Sequence, residues 1–274
     1  MTATSQWRKY SRVLVIGVQN TLVYRANFLF RASISLIPLL GTLQVWRTIY
    51  GDQAPGSLVG GYSLSAMISY YLIVNVIDAL TAVADDDWEV AADIRDGKIS
   101  QFLLRPIDYL TYRLCLYLSG RAIYTTVALI PVTLFTLWLR QDFVWPGHGL
   151  TYLLFGIAVF MGGLIQFLIA YLVALLAFWF LDVSTLIFIQ FAFEYIASGH
   201  LFPLDLLPPA LQTAISLTPY PYLSYFPASV YLERLSQSQL VFGFLVESSW
   251  LIVAYAVARW AWSRGLRRYT AVGG

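Results

Sequence analysis

The residues with the best claim to chemistry are concentrated in one charged stretch, Asp85 to Arg121, which reads DDDWEVAADIRDGKISQFLLRPIDYLTYRLCLYLSGR. Gly97 and Lys98 form the only Gly-Lys pair, the core of a phosphate-cradling loop. The rest of that loop fails, since Ala92 stands where its first glycine belongs and Ile99 replaces the Ser or Thr that would reach Mg²⁺. No nucleophile elbow, HExxH or paired-carboxylate hydrolytic motif occurs. Cys115 is the single cysteine, which excludes an intrachain disulfide and a multi-cysteine metal site, and His148 and His200 are too few for a histidine metal centre. What remains is electrostatic. On a helical wheel Glu89, Asp93 and Asp96 make an acidic stripe, with Trp88, Val90, Ala91 and Ile94 opposite. Gly97 is placed to end that helix in the left-handed conformation. Ser100 is read as the cap of a second short helix through Phe102, Leu103 and Leu104, stopped at Arg105 by Pro106, and Asp108 as the cap of the segment after it. Such helices lie on a membrane surface or against a partner.

The elements that position this stretch are apolar. Of 274 residues, 59% are hydrophobic and 12% charged, against about 25% charged in a soluble domain, and mean hydropathy is +0.67. This is an all-α polytopic membrane protein. Residues 1–27 carry Arg8, Lys9, Arg12 and Arg25 around an apolar patch too short to cross a bilayer, without a small-residue cleavage site; they read as an N-terminal interfacial helix. Spans are expected at Phe28–Tyr50, Tyr62–Ala84, Tyr117–Leu139 (with Pro131 as a kink), Leu150–Leu181, Thr185–Phe202 and Val241–Trp262. The fourth run, if straight, is about 48 Å long against a core of about 30 Å. Gly162 and Gly163 offer a break, but its halves are too short to cross separately, so it counts once. Between the last two spans, residues 203–238 are punctuated by prolines and too apolar for a free loop, which fits short helices at the outer interface or a re-entrant pair.

Charge sets the orientation. With both termini cytoplasmic, the inside holds Arg8, Lys9, Arg12, Arg25, Arg95, Lys98, Arg105, Arg113, Arg121, Arg264, Arg267 and Arg268, and the outside Arg47, Arg140 and Arg234. Six spans satisfy this bias. The charged segment 85–108 then lies in the cytoplasm between spans two and three.

Two phrases give the chain a resemblance. Gly97, Lys98, Ile99, Leu103, Leu104, Arg105 and Pro106 resemble the "GK-I…LLRP" segment before the third span of bacterial ABC-2-type ABC transporter permeases. Gly199, Leu201, Phe202, Pro203, Leu204, Leu207 and Pro208 are similar to the phrase that precedes the extracellular re-entrant segment of that family. The resemblance implies one ABC-2-like transmembrane domain over 1–274 in the bacterial cytoplasmic membrane, acting as an exporter by alternating access. It implies a dimer with an identical or similar permease and two ATPase subunits that carry the ATP and Mg²⁺. The chain itself is expected to bind no cofactor and hydrolyse no ATP. Membrane lipid is an expected partner and nucleic acid is not.

The same resemblance makes Trp88, Glu89, Asp93, Arg95, Gly97, Lys98, Leu103, Leu104, Arg105 and Pro106 the expected ATPase-coupling residues. Within the membrane, Arg31, Asp78, Glu194 and Glu247 need an explanation, because a mid-bilayer charge costs at least about 2.5–3.5 kcal/mol. They are the substrate-pathway candidates, with charge pairing between spans as the plainer reading. Glu194 is expected in the outer half of its span, and Glu247 close enough to the outer surface to reach it. A secondary transporter driven by an ion gradient is the alternative function. It would show an inverted repeat and paired broken helices, and the asymmetric charged segment argues against it.

Overall fold

A computed structural model describes residues 3–23, 25–52, 54, 56–83 and 86–269. Asp85, the first residue of the charged stretch, lies outside the described residues, as do Met1, Thr2 and Tyr24 of the N-terminal helix. The described residues form no strand. They form α1 (Ala3–Leu22), α2 (Arg25–Ile34), α3 (Leu36–Gly51), α4 (Leu64–Thr81), α5 (Asp86–Arg95), α6 (Ile99–Leu103), α7 (Tyr109–Trp138), α8 (Gly149–Leu175), α9 (Ser184–Ala197), α10 (Pro209–Ser216), α11 (Tyr225–Tyr231) and α12 (Gln237–Leu266).

Among the described residues five segments are long and apolar enough to cross a membrane: Ala26–Gly51, Leu64–Thr81, Tyr109–Trp138, Gly149–Phe178 and Gln237–Leu266. The first joins α2 and α3 through Ser35, whose hydroxyl donates to the Ala32 carbonyl. α8 runs unbroken past Gly162 and Gly163, so the long apolar run is one helix. Those glycines serve close approach. A Cβ on Gly162 would meet the Tyr222 carbonyl oxygen at 2.6 Å, and one on Gly163 the Thr81 side chain at 3.1 Å.

Two elements differ from expectation. α7 begins at Tyr109, not Tyr117, because the Asp108 carboxylate accepts the Thr111 amide at 3.0 Å and starts the helix there. Its first turns therefore stand about 12 Å beyond the expected span. Arg121, grouped above with the interfacial cations, consequently lies twelve residues, or about 18 Å, along α7. The fifth apolar run forms a helix of only 14 residues, α9, about 21 Å long and shorter than the roughly 30 Å bilayer core. Five crossings are thus evident by length, and a sixth is not.

The helices share a core that separates two ends. At one end α5 and α6 cover the last turns of α8. Val90, Ala91, Ile94 and Ile99 are buried in one cluster with Phe167, Leu168, Tyr171 and Leu175. At the other, Glu233 caps α8 by accepting from the Gly147 and His148 amides and the Thr151 hydroxyl at 3.2, 3.1 and 2.6 Å. From Glu233 the short helix α11 leads back to Tyr222 beside Gly162, thirteen residues into α8.

Candidate functional site

The charged stretch folds as the local sequence dictates at Gly97 and Asp108 and departs from it at Ser100. α5 stops where Gly97 adopts φ +77°, a left-handed turn that a β-branched residue resists. Ser100 does not cap α6. It lies inside that helix, with its hydroxyl 3.1 Å from the Tyr269 hydroxyl. The segment is tied to four helices besides its own. Arg259 of α12 pairs with Asp108, Lys9 of α1 donates to the Pro106 carbonyl at 3.4 Å, and the Asp108 amide donates to the Tyr10 hydroxyl at 3.2 Å. Phe102 packs edge-to-face on Tyr109 and at a tilt on Tyr112 of α7, and α5 lies along α8. Burial pushes the Asp108 carboxyl up, but its hydrogen bonds from Arg259 and Thr111 outweigh that and hold it below the usual carboxylate range.

Two of the three residues of the acidic stripe are tied back to α7, while Glu89 and Asp96 keep exposed side chains. Arg113 of α7, only 4% exposed in its side chain, reaches Glu89 at 2.9 Å and Asp93 at 3.9 Å. Asp93 also accepts the Tyr109 hydroxyl at 2.8 Å. Asp96 is bracketed by Arg95 at 3.3 Å and Lys98 at 3.4 Å, and the hydrogen bond from Arg95, followed by Lys98, holds its carboxyl low. Trp88 belongs only partly to the buried face and sets its ring edge-to-face on Phe188 of α9, 5.9 Å away. The groups offered outward are Glu89, Arg95, Asp96 and Lys98 and, beyond them, Leu103 and Leu104, 53% and 88% exposed, with Arg105 and Pro106 beside them. Exposed leucines at the tip of an anchored turn form an apolar patch of the kind that meets a partner or a membrane.

The four intramembrane candidates separate. Asp78 pairs with His200 at 3.1 Å, and the His200 ring lies against Tyr195 with centroids 4.2 Å apart. Glu194 accepts from the amides of Gln166 and Gln190, both at 2.6 Å. Asp78, Glu194 and His200 thus belong to one polar cluster joining α4, α8 and α9. Arg31 is exposed at the end of α2, apart from it. Glu247 does not reach the surface: it is fully buried on α12, and neither carboxylate oxygen has a hydrogen-bond partner among the described residues. It lies one turn beyond Gly243, whose own surface is closed by the Phe226 ring, so the face it shares is sealed by the segment that ends in α11.

The proline-rich segment carries its own polar network, which the sequence reading missed. Asp205 accepts from the hydroxyls of Tyr62 and Tyr225, both at 2.7 Å. Arg234 lies 3.5 Å from the centre of the Tyr62 ring and donates to the Gly61 carbonyl at 2.8 Å. The available signal was a lone Asp inside an apolar, proline-bounded phrase and a Glu-Arg pair after it. Gly199 takes φ +82° and accepts the Tyr70 hydroxyl at 2.6 Å, and a Cβ there would collide with that hydroxyl. Pro203 is buried before a short 3-10 turn, and Pro208 stands ahead of α10, which Pro209 opens.

Anchored surface turn, apolar spans and intramembrane polar cluster coincide with a family match: residues 36–273 match the family described as ABC-2 family transporter protein. The chain belongs to that ABC-2 family. It is a multi-pass membrane protein and the permease component of an ABC transporter, and its family works with a separate ABC ATPase subunit. Curated proteins yield no match to the chain. Among the described residues no group of His, Cys, Asp and Glu could hold a metal ion.

Proposed function

We propose that this ABC-2 protein is the permease half of an exporter, driven by two ATPase subunits that dock on residues 85–108. The observation that carries the reading is Leu104, 88% exposed on a turn whose neighbours Phe102, Pro106 and Asp108 are tied to α7, α1 and α12. An ATPase that grips Leu103, Leu104 and Arg105 would move α5 and α6 as a unit. Motion passes from Glu89 and Asp93 through Arg113 to α7, and from Val90, Ala91 and Ile94 to α8. Trp88 carries it to α9, and Gly97 keeps the two short helices at a fixed angle. Arg95 and Lys98, which face Asp96, set the charge around the contact.

In this reading α9 completes a sixth crossing, both termini lie in the cytoplasm of a bacterial cell, and residues 203–238 are a re-entrant segment on the outer side. The backbone of Tyr222 against Gly162, deep along α8, supports re-entry. Two permeases, identical or similar, enclose the pathway and alternate its access. The Asp78–His200 pair and Glu194 join α4, α9 and the turn after α9, near exposed Phe191, Phe193 and Tyr195, where cargo passing between protomers would meet them. Isolation of the chain from native membranes tests this. An ABC ATPase should co-purify, and the permease freed of it should hydrolyse no ATP. A permease that purifies without any ATPase, or that hydrolyses ATP alone, contradicts the proposal.

A further inference from the structure

Between α4, α7 and α8 lies a cavity of about 260 Å³ that belongs to neither polar cluster. Leu80, Leu118, Phe155 and Val159 line it, and Gly156 and Phe160 at its rim are exposed along the flank of α8. Its neutral polar groups are already engaged. The Tyr117 hydroxyl donates to the Thr81 carbonyl at 2.5 Å, and the Thr81 hydroxyl donates to the Ile77 carbonyl at 3.0 Å. Such an apolar space favours hydrocarbon over water. It falls below the roughly 300–1,000 Å³ of pockets that enclose a whole drug-sized ligand, so it suits one narrow tail.

Arg121 is the charged residue on its lining among the described residues. It is half-buried, one turn along α7 from Tyr117, and its guanidinium lies 4.7 Å from the centre of the Tyr124 ring. A guanidinium presents five donors in a planar fork that fits carboxylate and phosphate, and it attracts an anion more strongly away from bulk water. We infer that the cavity is a binding site for an aliphatic chain with an anionic head. The tail lies against Leu80, Phe155 and Val159 and the head meets Arg121. A phospholipid of the bilayer and a single-chain anionic amphiphile share this chemistry. The site stands on the cavity and its cation alone, independent of where the ATPase docks.

The test uses the complete transporter in phosphatidylcholine vesicles. These are doped with one of three probes carrying a diazirine in the tail: phosphatidylglycerol, phosphatidylcholine or palmitate. Adducts are mapped by peptide mass spectrometry. Anionic probes should label residues 155–164 of α8 over phosphatidylcholine by roughly tenfold, the worth of one charge-assisted contact. Arg121→Gln should abolish that preference and Arg121→Lys should keep most of it. Gly156→Leu should reduce labelling there by every probe; a Cβ at Gly156 meets open space, so the backbone is not displaced. Labelling by phosphatidylglycerol identifies the occupant as bilayer lipid, and labelling by palmitate alone identifies a single-chain amphiphile; either supports the site. Equal labelling by the anionic and neutral probes, unchanged in Arg121→Gln, would overturn it, as would adducts confined to other surfaces.

Discussion

Replacing Leu104 with Ala should separate a docking residue from a structural one. The side chain is 88% exposed, so truncation removes almost no internal contact, and the permease should keep its stability to within about 0.5 kcal/mol. In a docked complex the same side chain would be buried. Leu→Ala deletes three carbon groups at about 0.8 kcal/mol each, about 2.4 kcal/mol in all. Scaled by the 88% available for burial, the loss is about 2 kcal/mol, or roughly a thirtyfold weaker Kd. Leu103, 53% exposed, should lose less on the same substitution. The assay titrates purified ATPase onto permease held in nanodiscs and follows thermal unfolding of the permease in parallel. A Kd within twofold of the parent, with unfolding unchanged, would refute the assignment of this turn to the ATPase.

Three further outcomes concern single sites. Gly97→Val should cost about 1–2 kcal/mol at the α5–α6 turn, since φ there is +77°, and Gly97→Asn much less; protease sensitivity of residues 86–108 reports it, and equal resistance of the two variants would contradict it. Glu233, held down to about 2 chiefly by the Thr151 hydroxyl and then by His148 and the Gly147 and His148 amides, stabilises the folded chain as a carboxylate. Its folded value lies below the ordinary Glu value of about 4.3, so that stabilisation is complete above about pH 4.3 and fades as the pH falls toward 2. Glu233→Gln should therefore flatten the loss of thermal stability over that window, and an unchanged slope would count against the cap. Glu247→Met should raise stability by about 1–3 kcal/mol, because it replaces a buried carboxyl whose oxygens have no partner among the described residues with an apolar chain of similar size; a lower unfolding temperature would contradict this.

Local features were legible in the sequence. Gly97 ends α5 because a left-handed residue is needed there, Asp108 caps α7 through an amide three residues on, and α8 is one helix because its halves could not cross separately. Pairings between distant elements were not. The acidic stripe of α5 was legible, but its ties were not: Val90, Ala91 and Ile94 against α8 set the rotation that brings Glu89 and Asp93 within reach of Arg113. Ser100 looked like a cap because its type suits one, but the left-handed turn at Gly97 already starts α6 before it. Paired glycines in α8 carried no local sign that they exist to admit the Tyr222 backbone and Thr81. Asp205, Tyr62, Tyr225 and Arg234 are brought together only by the return of the proline-rich segment onto the loop before α4. The sealing of Glu247 likewise depends on the Phe226 ring closing over Gly243 one turn away.

The most direct test of the central claim places a photo-crosslinking amino acid at Leu104 and irradiates cells that produce the variant at its native level. The adduct should contain an ABC ATPase, and the same crosslinker at Leu211, exposed on α10 at the opposite end of the molecule, should capture none. Capture of the ATPase at Leu211 and not at Leu104, or only lipid adducts at Leu104, would contradict the assignment of residues 85–108 to ATPase docking.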